Sequence, residues 1–159
     1  MLIARDFLGE DPFVMYLGDN MLRDGIVPFV QRFEGSGCSA QIMVTSVEQP
    51  EQYGVVEMDG DRVVRLVEKP AERISDLALV GVYLFDPSVH DAVRALKPSG
   101  RGELEITEAI QWLLDQGKDV TVHRVEGWWK DTGQPEDLLE ANRLVLEGSE
   151  SSSGRVGLI

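Results

Sequence analysis

Two apolar rhythms alternate along the chain, and that alternation leaves few folds open to it. Phe13–Leu17 is a short run, apolar on both sides, that ends at Gly18-Asp19. It reads as a buried strand with a polar residue at its C-terminal end. Ile26, Phe29, Val30 and Phe33 then recur at the spacing of one helical face, stopped by Gly35. Ala40, Ile42 and Val44 alternate as a second strand. Tyr53–Glu57 and Arg62–Val67 flank Asp59-Gly60, which reads as a hairpin turn. Leu77–Phe85 is a further strand, closed by Asp86-Pro87. Ser88 is expected to cap a helix carrying Val89, Ala92, Val93 and Leu96. Thr107 is expected to cap the next, with Ile110, Leu113 and Leu114 inward and Gly117 at its end. Val120, Val122 and Val125 mark a late strand, and Pro135 opens a helix running to Gly148. Strands alternating with helices, with one hairpin inserted, imply an α/β fold with a mostly parallel sheet.

Composition narrows the setting. The 159 residues, 43% apolar and 27% charged, suit one domain with a real core. Net charge is −13, from 28 acidic and 15 basic residues, so the surface repels nucleic acid and anionic membranes. An anionic substrate must then be met by a few placed cations or a metal. Cys38 is the single cysteine, so no internal disulfide is available and a reducing cytoplasm is expected. No apolar run is long enough to span a bilayer.

Small or polar residues recur at strand ends, where open α/β sheets place ligands. In Tyr16-Leu17-Gly18-Asp19-Asn20, Gly18 admits a ligand to the backbone and Asp19 is a hard oxygen donor of the kind Mg²⁺ takes. Gly54, in Gln52-Tyr53-Gly54-Val55-Val56, interrupts a strand, which marks close approach or a bulge. In Val67-Glu68-Lys69-Pro70, Glu68 is able to accept from adjacent hydroxyls, Lys69 to pair with a phosphate, and Pro70 biases Lys69 towards extended backbone. Gly81 breaks the apolar run Ala78–Tyr83, and Asp131 follows Trp128-Trp129-Lys130 as a walled carboxylate. Arg101 lies on a Gly-rich loop, where it is able to reach a phosphate or is simply an exposed loop arginine. Each has a plainer reading beside it: a strand-terminal turn, a bulge, a solvated ion pair, a packing glycine, a turn acid beside packed tryptophans. His90 and His123 lack partners at metal spacing and read as structural.

The order of these motifs carries more than any one of them. Together with Arg101-Gly102-Glu103-Leu104-Glu105-Ile106-Thr107 and Trp129-Lys130-Asp131-Thr132-Gly133, they resemble the sugar-1-phosphate nucleotidyltransferases, most closely the glucose-1-phosphate thymidylyltransferases. The resemblance runs from Leu2 to about Glu147. It implies an incomplete Rossmann-like domain over residues 1–147, with helices on both faces of a mixed sheet. It implies nucleotidyl transfer, dTMP from dTTP to glucose 1-phosphate. By resemblance, Asp19 and Asp131 hold Mg²⁺ and, with Lys69 and Arg101, form the catalytic set. Lys69 and Arg101 hold the sugar phosphate. Tyr53, Gly54, Glu68, Leu79 and Gly81 complete the sugar pocket.

Members of that family begin with a Gly-rich, Arg-containing loop that cradles the triphosphate, followed by a segment that reads the base. This sequence has neither. The expectation is therefore a C-terminal portion, inactive by itself. The alternative is a non-catalytic module that binds sugar phosphate or associates with another chain. Self-association is expected through the Phe13–Leu17 strand, left at a sheet edge. Residues 148–159 read as a Ser/Gly-rich linker leading into the start of a left-handed β-helix, as in some longer members.

Overall fold

The computed structural model describes residues 1–153. Its organising strand is β6 (Leu77–Phe85), buried at every position. A continuous apolar run suits a strand covered on both faces. β3 (Ala40–Ser46) pairs antiparallel along one flank of β6. Two strands share the other flank: β4 (Gly54–Asp59) at Ala78, and β1 (Phe13–Tyr16) from Val82 to Phe85. β5 (Arg62–Glu68) completes a hairpin with β4, and β7 (Val120–Arg124) lies parallel to β3. β2 (Asn20–Leu22) and β8 (Trp129–Asp131) form a separate antiparallel ribbon.

The sheet is mixed, but its balance differs from the expectation. Among the described residues β3–β7 is the parallel pairing; the other pairings are antiparallel. The reason lies in β6. β1, α2 (Val27–Glu34) and β3 make a crossover whose two strands point the same way, and antiparallel β6 inserts between them. A helical pattern between two strands fixes their relative direction, not whether they are neighbours.

Side-chain alternation sorts the strands between two cores. Ile42, Val44, Leu79, Tyr83 and Phe85 face α3 (Val89–Ala95) and α4 (Ile106–Asp115). Met43, Val80, Val82 and Leu84 face Phe29 and Phe33 of α2. Helices thus cover both faces, as expected. α4 ends as its sequence indicated: Gly117 has φ +71°, its N–H donates to the Leu114 carbonyl (2.9 Å), and Lys118 N–H donates to that of Leu113 (3.0 Å). Ser88 is the N-cap residue of α3 as expected, without a side-chain capping bond, whereas the Thr107 cap shifts. Thr107 is buried inside α4, whose N-cap is Glu105. Ser88 turns back, its N–H and hydroxyl both donating to Asp86 Oδ1. The hairpin loop is Gly60-Asp61, with Gly60 at φ +60°, one residue on from the expected turn.

β1 is an edge strand paired only to β6 among the described residues. It is not buried on both faces: Phe13 and Met15 turn inward, while Val14 is 38% and Tyr16 42% exposed. α5 (Pro135–Ser153) passes through Gly148, so the serine-rich stretch expected as linker is helical to Ser153. Residues 155–159, expected to begin a β-helix, lie outside the described residues.

Candidate functional site

The two acids that sequence places far apart are brought together by the β2–β8 ribbon. Asn20 is the register partner of Asp131. The Asp19 carbonyl accepts from both Thr132 N–H (2.7 Å) and Thr132 Oγ1 (2.8 Å). Alternation then puts Asn20, Leu22, Trp129 and Asp131 on one face of the ribbon. Asp19 sits in the turn before β2, and its Oδ1 accepts from Asn20 Nδ2 at 2.9 Å. Asp131 Oδ1 accepts from Gly133 N–H at 2.9 Å. Each acid thus uses one oxygen locally, and among the described residues no hydrogen bond reaches either Oδ2.

The second half of the site hangs on β4, β5 and α4. Gly54 is the register partner of Glu68, and Lys69 N–H donates to the Tyr53 carbonyl at 3.0 Å. Glu68 Oε2 accepts from Thr107 Oγ1 (3.2 Å), and Oε1 from Arg101 Nη1 (3.5 Å). Arg101 also lies 3.4 Å from Glu103 and 3.7 Å from Glu105. Burial pushes the Glu68 carboxyl above its ordinary range; the Glu105 charge adds to this, and Thr107, Lys69 and Arg101 oppose it. Lys69 is exposed and has φ +40°. The expected extended backbone before Pro70 is therefore corrected: the left-handed turn sends the chain away from β5. Such a conformation costs on the order of 1–3 kcal/mol in a non-glycine residue and is concentrated at functional sites.

Two aromatic rings join the halves. Tyr53 packs edge-to-face on Trp129, with centroids 5.4 Å apart. Burial raises the Tyr53 hydroxyl pKa, and the Asp131 charge raises it further. Burial also pushes the Tyr83 hydroxyl up, with Glu68 and then Asp19 adding to it. Tyr83 therefore lies in the fields of both halves. Glu68, Lys69, Arg101 and Glu105 open into a groove of about 1070 Å³. That groove does not include Asp19 or Asp131.

The two interrupting glycines have packing causes. A Cβ at Gly54 would lie 2.6 Å from Thr107 Cγ2 and 3.1 Å from Leu79 Cδ1. One at Gly81 would lie 2.6 Å from Asn20 Nδ2 and 2.9 Å from Leu17 Cδ1. The protein's own side chains fill both spaces, Leu79 among them.

Sequence reasoning gave Asn20 and Glu105 no role of their own and read Thr107 only as a helix cap. All three are buried and polar, yet the only sequence signal was their place beside motif residues. Lys130, between Trp129 and Asp131, ties the ribbon to α5 through Asp137 (2.8 Å) and Glu140 (2.7 Å). Among the described residues no helix is long and apolar enough to cross a membrane, and no three His, Cys, Asp or Glu side chains cluster to hold a metal. Two carboxylates with a free oxygen each still fit Mg²⁺, which is held by one or two carboxylates plus water and substrate phosphates.

Known proteins resemble this chain over most of its length. The chain is 55% identical over 145 residues to the low-salt glycan biosynthesis nucleotidyltransferase Agl11 of Haloferax volcanii, covering 91% of this chain and 41% of that protein. It is 54% identical over 151 residues to the glucose-1-phosphate thymidylyltransferase of Streptomyces griseus, covering 94% and 42%. The chain thus spans about two-fifths of the length of these relatives. Among solved structures, a Bacillus anthracis protein provisionally assigned as a glucose-1-phosphate thymidylyltransferase, in complex with a sucrose, matches with TM-score 0.81 and 39% identity, over 89% of this chain and 57% of that one. A UDP-glucose pyrophosphorylase complexed with UDP-glucose shares the fold, with TM-score 0.81 at 22% identity, over 92% and 60%. The nucleotidyl transferase family model matches residues 1–148, and the chain belongs to that family.

Proposed function

We propose that this chain carries the metal and sugar-phosphate half of a nucleotidyl transfer site, for dTMP transfer from dTTP to glucose 1-phosphate. The observation that carries the reading is the β2–β8 pairing. Asn20 pairs with Asp131 and the Asp19 carbonyl with Thr132, which supports reading the two acids as one site, and Tyr53 packs on Trp129 while its carbonyl holds Lys69 N–H.

In the reaction a sugar-phosphate oxygen attacks the α-phosphorus of the triphosphate. One P–O bond forms, the bond to the β-phosphate bridge breaks, and pyrophosphate leaves with the electron pair. Asp19 and Asp131 would hold Mg²⁺, which when bound neutralises the phosphates and fixes their approach. Lys69 and Arg101 bind the sugar phosphate. Arg101 exchanges its carboxylate neighbours for the phosphate as it does so. Glu68 accepts hydrogen bonds from sugar hydroxyls beside Tyr53, while Gly54 and Gly81, whose spaces Thr107, Leu79, Leu17 and Asn20 fill, give the sugar no opening. Catalysis is positioning and charge neutralisation, with no covalent enzyme intermediate.

The resemblance puts the triphosphate cradle in a segment other than those matched here, and turnover by these residues alone is proposed to be negligible. Residues 1–147 are read as the C-terminal portion of the domain, working in the cytoplasm. A second reading, chain association, is favoured by one observation: β1 is an edge, with Tyr16 and Leu17 each 42% exposed beside it. Self-association through β1 is its consequence.

Calorimetry with glucose 1-phosphate and Mg²⁺ tests the first reading. Saturable binding that requires the metal, and that Lys69→Ala weakens about tenfold or more, is expected. Equal weak binding by both proteins removes Lys69 from the phosphate role.

A further inference from the structure

The environment of Asn20 says more than that it packs well. Asn20 is 7% exposed, and both ends of its side-chain amide are engaged. Its Oδ1 accepts from Gly81 N–H at 2.9 Å, in the middle of β6, and from Trp129 Nε1–H at 2.7 Å, on β8. Both partners are obligate donors, so the atom they share is the oxygen. Neighbouring groups therefore fix the amide's orientation, which is otherwise ambiguous between oxygen and nitrogen. The remaining end, Nδ2, is left pointing at Asp19 Oδ1, 2.9 Å away.

The backbone is held as firmly. Asn20 N–H donates to the Leu17 carbonyl at 3.1 Å, and the Tyr16 hydroxyl donates to the Asn20 carbonyl at 3.2 Å. Gly81 makes room for the amide, since a Cβ there would meet Nδ2 at 2.6 Å and Cγ at 2.8 Å. Two strands from different parts of the fold, one supplying a main-chain N–H and the other an indole N–H, thus converge on one side chain. That side chain gives one of its two amide N–H donors to the acid.

We infer that Asn20 is the positioning residue of the metal-holding acid: locked by Gly81 and Trp129, it pins Asp19 Oδ1 and turns Oδ2 outward to the cation. This rests on the reading of Asp19 as a metal ligand. A donor on one carboxylate oxygen fixes the rotation of the group, so the other oxygen needs no reorganisation when the ion arrives. Partners of this outer kind change metal affinity by about 10- to 100-fold when removed. The arrangement also joins the metal to the sugar side, because Trp129 packs on Tyr53, whose carbonyl holds Lys69 N–H.

The test uses the whole chain and Mn²⁺ as the probe. Free Mn²⁺ is counted by electron paramagnetic resonance for the unaltered protein and for Asp19→Asn, Asn20→Ala and Trp129→Phe. Circular dichroism confirms the fold of each. Trp129→Phe keeps a ring against Tyr53 and removes only the donor that orients Asn20. A second readout is the Trp129 indole N–H resonance during Mg²⁺ titration, since Asn20 links that proton to Asp19.

The expected result is loss of binding in Asp19→Asn, affinity lower by about tenfold or more in Asn20→Ala, and a smaller loss in Trp129→Phe. The indole resonance should move with Mg²⁺ in the unaltered protein and stay still in Asp19→Asn. If Asp19→Asn abolishes binding while Asn20→Ala and Trp129→Phe bind normally, Asn20 is only structural and the inference fails with the metal reading intact. If Asp19→Asn binds normally, the metal reading fails and takes the inference with it. Should Asn20→Ala not fold, Trp129→Phe and the indole shift decide, and an indole unmoved by Mg²⁺ overturns the inference.

Discussion

Replacing Gly54 with alanine separates two explanations for a glycine inside β4: room for a ligand, or room for α4. The added Cβ would lie 2.6 Å from Thr107 Cγ2, with Glu68 Oε2 and Leu79 Cδ1 each at 3.1 Å. Carbon atoms in good contact sit about 3.5–4.0 Å apart, so the helix would have to retreat by roughly 1 Å. It has little room to do so, because Ala109, Ile110 and Leu113 are fully buried against the sheet. Overpacking of this kind costs about 1–3 kcal/mol. Alanine in a strand recovers about 0.5–1 kcal/mol relative to glycine. The net loss should be about 1–2 kcal/mol, read as a urea midpoint lower by about 0.5–1 M. Thr107→Ser removes Cγ2 and keeps the hydroxyl that donates to Glu68. It should cost about 1 kcal/mol alone and relieve the Gly54→Ala clash, a coupling of about 1 kcal/mol in the double-mutant cycle. A Gly54→Ala chain as stable as the parent, or a cycle with no coupling, would refute the packing argument and return Gly54 to the ligand.

Other outcomes follow from the same geometry. Glu68 should titrate above the ordinary carboxylate range in a carbon-13 NMR titration; Glu105→Gln should bring its midpoint down and Arg101→Ala should raise it. Because its folded value is raised, the stability Glu68 contributes is present below the unfolded carboxylate range and fades as pH rises through the folded midpoint. Glu68→Gln should therefore flatten that part of the stability profile; an unchanged profile would show that Glu68 is not the group responsible. Lys130→Gln should speed amide exchange along the first turns of α5, since Lys130 binds both Asp137 and Glu140 there; equal protection would mean that Ala141 and its apolar neighbours hold the helix instead. Lys130 also holds the Asp137 carboxyl below its ordinary range, so α5 docking should weaken as pH falls through that lowered value.

The sequence exposed what local pattern controls. The apolar stretch around Gly81 from Leu77 to Phe85 announced a strand, and the Ile26-to-Phe33 spacing announced α2 and its buried face. Strand order was hidden, because which strand inserts between β1 and β3 is decided by long-range packing of β6 against both cores. Motif order pointed to the candidate residues, and the fold pairs Asn20, beside Asp19, with Asp131 and brings Arg101 within 3.5 Å of Glu68. It did not reveal that Gly54 and Gly81 serve Thr107 and Asn20, because a glycine's neighbour across a sheet cannot be read along the chain. Thr107 looked like a cap because threonine before a helix usually is one; its buried hydroxyl serves Glu68 instead. β1 read as doubly buried from composition alone, yet pairing on one side leaves Val14 and Tyr16 in solvent.

The central claim is that Asp19 and Asp131 together hold one divalent ion beside the sugar-phosphate pocket. Phosphorus-31 relaxation of glucose 1-phosphate, measured with Mn²⁺ and the whole chain, tests it most directly, because the effect falls steeply with distance from the bound ion. The account expects strong enhancement with the unaltered protein, and loss of it in both Asp19→Asn and Asp131→Asn. Enhancement that survives in either variant would contradict the claim.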